Sequence, residues 1–259
     1  MNRRLNAALA LTLAWFVETP ALAQGQDSQP YERDLMVIAT LIEGAFDNAN
    51  QNYFDRRGDR SVKHRRIHQV VEAMDLPALG NHVFSVTGYY DGDKEQPVPR
   101  QIWSLSADSD AASVRMDVWP AGDVSLHSAD SFEAQPNCSL FWQREAAQFS
   151  ATAKAGCSLP VVRAATVSNG QLWLTYAGDE ADYQLHRVRP FECYVDIPGV
   201  GGGRDEPYER YEGFKIHDQA GSAWFDTKDG RRLGISLFLV DWPINNYTGV
   251  FTRDSLVVY

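Results

Sequence analysis

The fold is decided by short alternating segments, which begin with His82-Val83-Phe84-Ser85-Val86-Thr87 and continue with Gln101-Ile102-Trp103-Ser104-Leu105 and Val114-Arg115-Met116-Asp117-Val118-Trp119. Apolar and polar side chains alternate in them, which is the period of a β-strand with one buried face. Turn signals such as Asn169-Gly170 and Asp229-Gly230 separate runs of this kind. Further strand-like runs cover residues 66–74, 139–142, 147–153, 171–176, 183–188, 191–197, 215–217, 223–225, 233–240 and 255–259. Many short strands at roughly 8–12-residue spacing predict an antiparallel sandwich or barrel rather than alternating α/β structure.

One segment has helical periodicity instead. Apolar side chains recur there at steps of three and four residues, as on one face of an α-helix: Leu35, Ile38, Ala39, Ile42, Ala45 and Phe46. The turn-prone amides of Asn48-Ala49-Asn50-Gln51-Asn52 are expected to end this helix. No other segment after residue 30 predicts a strong helix.

The first residues have the pattern of a cleavable signal peptide. Arg3 and Arg4 give a positive start, Leu5 to Val17 is a mostly apolar stretch, and Ala21-Leu22-Ala23 is a small-residue cleavage site. The apolar stretch is about 13 residues long, against the ~20 that a membrane-spanning helix needs. The sequence therefore predicts a signal peptide over residues 1–23 and a protein that is exported to the periplasm or secreted.

Length and charge restrict the rest of the chain. Removing 23 of the 259 residues leaves 236, which suits one large all-β domain over residues 31–259 after a disordered lead-in at 24–30. Loss of Arg3, Arg4 and Glu18 changes the net charge from −10 to −11. A chain this acidic is not expected to bind nucleic acid or an anionic membrane surface. No second apolar run approaches membrane-spanning length.

Three cysteines, Cys138, Cys157 and Cys193, indicate one disulfide and one free thiol in an oxidising compartment. Cys138 and Cys157 are the favoured pair, because they flank two strand-like runs that can fold back as a hairpin. Closing that loop would contribute roughly 3 kcal/mol on the chain-entropy model. No cysteine or histidine spacing is typical of zinc.

Motifs for catalysis are absent from the sequence. It contains neither G-x-S-x-G nor H-E-x-x-H, and its six histidines lie far apart, so no metal site and no catalytic residue is predicted. His64, Arg66 and His68 are two residues apart and would share one strand face. That face is either a basic strip in a cavity or a solvated outer surface. Pro198 to Gly203 is expected to be a flexible connector and not a phosphate loop, because no Lys-Ser/Thr follows.

A series of short motifs follows a characteristic order and spacing along the chain: Gly44, Phe46, Asn48 and Gln51; His68, Phe84-Ser85-Val86 and Tyr90; Arg100-Gln101 with Trp103 and Leu105; and Cys138, Gly156-Cys157 and the run Val167 to Gly178. Taken together, these motifs resemble the CpcT/CpeT-type phycobiliprotein chromophore lyases. It covers residues 35–190. Residues 191–259 extend beyond the typical family length and are expected to add strands to the same body.

The resemblance implies a mainly β fold, a lipocalin-like (calycin) antiparallel β-barrel with an N-terminal helix. It further implies that the barrel binds a bilin, a linear tetrapyrrole, and directs its attachment to a cysteine of a phycobiliprotein subunit by positioning, with no other cofactor required. The residues that it nominates for ligand binding are Asn48, Gln51, His68, Tyr90, Arg100, Gln101 and Trp103. Catalytic residues stay unassigned.

The chain departs from the family pattern at Thr87-Gly88, where the family's Glu-Gln pair would fall. Without that carboxylate, a bound tetrapyrrole lacks the acidic group that could protonate it or form a hydrogen bond with it. Two other readings therefore stand beside a lyase: a non-catalytic periplasmic carrier of an apolar or conjugated small molecule, and an envelope interaction protein with a filled barrel. The sequence leaves the oligomeric state open, a homodimer included.

Overall fold

The computed structural model describes residues 30–58, 61–121, 136–145, 148–153, 157, 162–168, 171–176, 181–199, 205, 207–240 and 255–258. The predicted signal peptide, nearly all of the lead-in and most of the connector at 198–203 lie outside these residues.

Ten antiparallel strands form a closed barrel. They are β1 (Gly44–Asp47), β2 (Ile67–Met74), β3 (His82–Tyr90), β5 (Gln101–Asp108), β6 (Ser113–Pro120), β7 (Cys138–Glu145), β8 (Gln148–Ala153), β9 (Val162–Ser168), β10 (Gln171–Tyr176) and β11 (Tyr183–Arg187). Their order around the ring is β2-β1-β11-β10-β9-β8-β7-β6-β5-β3, and pairing of β2 with β3 closes it. β4 (Asp93–Pro97) pairs with β3 outside the ring. The predicted antiparallel barrel is confirmed.

The interior of the barrel is apolar and filled by the chain's own side chains. Cross-strand neighbours such as Trp103 and Val118, or Met116 and Leu140, belong to one contiguous cluster of buried residues. Trp103 and Trp142 are each only 1% exposed. Large side chains with so little exposure do not border a space that water can enter, so the barrel is a packed core at their level.

Helix α1 (Pro30–Ile42) packs its apolar face into that cluster through Leu35, Ile38, Ala39 and Ile42. It contacts β5 and β6. The predicted continuation of the helix through Ala45 and Phe46 is wrong. Gly44 has a φ of +136°, which ends the helical path, and Phe46 pairs with Gln69 and Arg187 as part of β1.

A second helix, α2 (Ala49–Arg57), begins where the first was predicted to end. Asp47 accepts a hydrogen bond from the Ala49 N–H at 2.8 Å, which satisfies one of the free donors of the first turn. The Asn48–Asn52 segment therefore starts a helix instead of terminating one.

Residues after the barrel form two further sheets, here called the C-terminal sheets. One contains β12 (Pro190–Pro198) and β13 (Tyr208–His217), and the other contains β14 (Gln219–Asp226), β15 (Arg232–Val240) and β16 (Ser255–Val258). They share a small core around Ile216, Ile235 and Leu237. The extra strands are present, and they pair in sheets of their own because the closed ring offers no free edge to them.

Two local predictions are confirmed. Cys138 and Cys157 form a disulfide with a Cα–Cα distance of 4.9 Å, and Cys193 is free. Asp229-Gly230 lies in the turn between β14 and β15, where Gly230 has a φ of +84°. Among the residues described, no helix combines the length and hydropathy needed to cross a membrane.

Candidate functional site

A row of polar side chains crosses the outer face of the barrel on four neighbouring strands. The register pairs Tyr89 with His68, His68 with Asp47, and Asp47 with His186. Asp47 follows the interior Phe46 and His186 follows the interior Leu185, so both project outward. Pleating thus places four residues from distant parts of the chain side by side.

Asp47 is the centre of this row. Its carboxylate is fully buried and accepts four hydrogen bonds: from the Ala49 N–H at 2.8 Å, from Arg66 Nε and Nη2 at 3.0 Å each, and from His68 Nδ1 at 3.1 Å when that nitrogen carries the proton. Burial acts to raise the pKa of Asp47, but the hydrogen bonds and charges of His68 and Arg66 outweigh it and hold the pKa below its ordinary value. The site therefore keeps a buried negative charge.

The C-terminal sheets cover this row. The His217 ring stacks on the His68 ring with centroids 5.0 Å apart, and the Tyr89 ring also stacks on the His68 ring, with centroids 4.8 Å apart. Arg66 Nη2 also donates to the Gln219 carbonyl oxygen at 3.0 Å, so one guanidinium holds both the barrel and β14. We call Asp47, Arg66, His68, Tyr89 and His217 the junction cluster.

Burial sets the protonation of the histidines around Asp47. It lowers the pKa of His217 to about 4 and that of His186 to about 4, although nearby carboxylates, Asp47 among them, act in the opposite direction. Burial and the charge of Asp47 raise the pKa of Tyr89. At neutral pH His217 is therefore an uncharged imidazole with a free lone pair.

Two glycines fix the backbones that carry the stacked histidines. A Cβ at Gly88 would clash with the His68 carbonyl oxygen, and a Cβ at Gly221 would clash with the His217 backbone. Only residues without a side chain fit at these places. The close approach explains why glycine follows Thr87, where the family resemblance would place a glutamine.

Some buried polar atoms near the end of β13 lack a partner among the described residues. These are Nδ1 of His217 and both amide atoms of the Gln219 side chain, a residue that is 1% exposed. An unsatisfied buried polar group costs about 1–3 kcal/mol. Such groups point to a bound ion, water or other ligand that would complete their hydrogen bonds or coordination.

A second buried cluster consists of His64 and Asp55, and Asp55 lies on helix α2. His64 Nδ1 is 2.6 Å from Asp55 Oδ2, and His64 Nε2 lies 3.3 Å from the Ala181 carbonyl oxygen. The Asp55 carboxylate also accepts the His64 N–H. Both ring nitrogens of His64 thus have partners, which makes this pair a tie between α2 and the start of β2.

Asn48 and Gln51, which the family resemblance nominates for ligand binding, form hydrogen bonds with the backbone. Asn48 Nδ2 donates to the Arg65 carbonyl oxygen and Oδ1 accepts the Ile67 N–H. Gln51 donates to the Asp182 carbonyl oxygen and accepts the Gln184 N–H. These amides connect α2 to β2 and β11, the local backbone role expected of turn-prone amides.

The other nominated ligand residues fall into three different environments. His68 lies outside the barrel wall in the junction cluster. Arg100 is exposed just before β5, and Tyr90 is half-buried beneath the Arg65 guanidinium, 4.1 Å from the ring centroid. Gln101 and Trp103 are inside the barrel, where Trp103 Nε1 donates to Gln101 Oε1 at 2.8 Å. The structure therefore does not bring the seven residues into one pocket.

Comparison with protein-family models gave no match, and comparison with curated proteins gave none either. The class of protein is defined by its fold and sites: it is a closed ten-stranded antiparallel β-barrel, capped by a helix, with separate C-terminal sheets on its outer face. Asp47 and His68 on the barrel wall and His217 on the C-terminal sheets form an Asp–His–His cluster where the two parts meet.

Proposed function

We propose that this protein is a non-catalytic, lipocalin-like binding protein for an apolar or conjugated small molecule, with a linear tetrapyrrole as the first ligand class to test. The observation that carries the proposal is the composition of the barrel interior. The apolar side chains there surround a few buried polar groups, which is the mixture of residue types that lines small-molecule sites.

The polar groups are distributed over several strands. The Gln101 amide contacts Trp103, and the Gln69 amide lies beside the Tyr176 hydroxyl, whose pKa is raised by burial. Nε1 of Trp142 has no partner among the described residues. Ring carbonyls and nitrogens of a conjugated ligand could use these donors and acceptors.

A small-molecule ligand can enter the packed barrel interior only if the protein rearranges. The α1 face belongs to the same apolar cluster as the barrel walls. In this proposal, α1 moves aside and the apolar surface of the ligand replaces the surface that the helix buries. Binding is then expected to be slower than diffusion-limited association.

Binding is favoured over lyase chemistry because of the Thr87-Gly88 segment. Neither residue carries an acid, and Gly88 has no space for a side chain. A lyase would add a cysteine thiol across a double bond of the bilin, forming one C–S and one C–H bond, and would have to protonate or orient the bilin without that acid.

The test mixes the purified protein with biliverdin or phycocyanobilin and records visible spectra. We expect a red-shifted, intensified band, weakened about tenfold in apparent affinity by Gln101→Leu. Arg100→Ala is the matched control, since this neighbour in sequence is exposed. No spectral change at micromolar concentrations would overturn the bilin proposal.

Two outcomes redirect the proposal. Sensitivity to Arg100→Ala with indifference to Gln101→Leu would place the ligand on the outer surface. Covalent transfer of the bilin to an added apo-phycobiliprotein subunit would establish the lyase function instead. A separate experiment tests export: mass spectrometry of the secreted protein should show that residues 1–23 have been removed.

A further inference from the structure

We propose that Asp47, His68 and His217 bind one divalent transition-metal ion, with Zn²⁺ as the probe, and that this ion ties the C-terminal sheets to the barrel. One ligand atom of each residue lies within 4.8 Å of the other two. Two imidazoles and one carboxylate are a donor set that Zn²⁺ and its first-row neighbours favour.

The burial of the three residues supports a built site rather than a chance surface cluster. Asp47 and His68 are buried on the barrel wall, and His217, at the end of the covering strand β13, is half-buried. The carboxylate supplies negative charge and the two imidazoles supply nitrogen ligands, in a place that the C-terminal sheets cover.

Groups without partners supply the second line of evidence. Nδ1 of His217 is buried and has no hydrogen-bond partner in the described part of the chain. Gln219, two residues further on, is also buried, and neither polar atom of its side-chain amide has a hydrogen-bond partner among the described residues. Coordination of the ion through Nδ1 of His217 would satisfy that atom directly.

The supporting contacts fit the outer shell of a metal site. Arg66 holds both oxygens of Asp47, and the Ala49 N–H holds one of them, so the carboxylate plane is fixed. Gly88 and Gly221 fix the backbones of the two histidines. For His68 to bind the ion through Nδ1, the proton of that nitrogen has to move to Nε2 of the same ring. The hydrogen bond to Asp47 is then lost, and no proton leaves the protein in that change.

The same contacts limit affinity. The Arg66 charge opposes a second cation nearby. Zn–N distances near 2.0–2.1 Å also require the ligand atoms to approach further than they do here, by rotation of the His217 ring out of its stack. We therefore expect a dissociation constant on the order of micromolar rather than the tighter binding of a fully preformed site.

The experiment titrates Zn²⁺ into the chelator-treated full chain by calorimetry. We expect one ion per chain, a shift of the urea unfolding midpoint to higher concentration when Zn²⁺ is present, and at least tenfold weaker binding in His217→Ala. His82→Ala is the matched control, because this β3 histidine is not one of the three grouped residues, and it should bind Zn²⁺ as the wild type does.

A second variant and a second measurement keep the test decisive. His217→Gln preserves size and neutrality, and circular dichroism checks that it folds. Co²⁺ absorption in the visible range reports coordination without reference to any activity. Binding of unchanged strength and stoichiometry in both His217 variants, or no binding by the wild type at 100 μM Zn²⁺ (about one hundred times the expected constant), would overturn the proposal. The outcome does not depend on whether the barrel binds a bilin.

Discussion

At the scale of single residues, backbone proximity explains positions that sequence motifs leave ambiguous. Gly88 is a departure when aligned to a family pattern, yet in the structure it is a packing requirement opposite Gln69 and against the His68 carbonyl. Glycine is required at this position because β2 and β3 approach so closely that the local fold leaves no space for a side chain.

Gly88→Ala is therefore expected to destabilise the barrel by roughly 1–3 kcal/mol, the usual cost of overpacking. The added methyl group would displace the His68 backbone and disturb the stacked rings. Urea unfolding measures the change, and Ser85→Ala on the same strand is the control, with an expected change within about 0.5 kcal/mol. Equal effects of the two substitutions would show that the space at Gly88 is adaptable.

Ionisation of Asp229 is expected to make the stability of the folded protein depend on pH. A hydrogen bond from Arg231, followed by one from Thr227, lowers the pKa of Asp229 to about 2 from 3.8. The folded-state pKa is depressed, so the stabilisation is present above about pH 4 and is lost as the pH falls toward 2. Melting curves of wild type and Asp229→Asn should differ at pH 5 and converge at pH 2. A gap that stays constant over this range would mean that the charge of Asp229 is irrelevant to the turn.

At the scale of elements, α1 and the disulfide each attach a segment to the barrel. Ile38 on α1 is fully buried, whereas Met36 on the same helix is 57% exposed. Ile38→Ala should lower the free energy of unfolding by about 2–5 kcal/mol, and Met36→Ala should change it by less than about 0.5 kcal/mol. Chemical denaturation of both variants checks whether α1 belongs to the cooperative core. Similar, small effects would mean that α1 detaches before the barrel unfolds.

The disulfide joins β7 to the segment after β8. Replacing Cys138 and Cys157 together by serine should reduce stability by roughly 3 kcal/mol, because the reduced unfolded chain regains loop entropy. Cys193→Ser leaves the bond intact and is the control. Thiol labelling of the native wild type should detect only Cys193. Labelling of three thiols would contradict the bond.

At the scale of the whole molecule, the strands were predictable because each has its own two-residue period, and all thirteen predicted strand runs overlap strands of the barrel or of the C-terminal sheets. The elements missed, β1, β4, β9 and α2, are short or lack a clear period, and β1 carries apolar spacing that also fits a helix. Local pattern could not resolve that ambiguity.

The junction cluster was beyond sequence reasoning for a different reason. His68 was nominated, but as a ligand residue inside the barrel, and Asp47 and His217 were not nominated at all. His217 lies 149 positions from His68 along the chain, and only the docking of the C-terminal sheets brings the two rings to 5.0 Å. A two-residue spacing indicates a shared strand face, whereas a site assembled between separate sheets leaves no periodic signal.

This architecture predicts the behaviour of a chain that ends at Arg189. The ring of ten strands closes without any contribution from residues 190–259, so the truncated barrel should still fold, with the circular dichroism of an antiparallel sheet. Removing the cover would expose Asp47, His68 and His186 to water. The pKa of His186, now about 4 because of burial, should rise toward its ordinary value near 6.5, as measured by the NMR titration of its ring protons. If the truncated chain is unfolded, or if it folds and His186 still titrates near 4, the C-terminal sheets are not a separable cover but part of the same cooperative unit as the barrel.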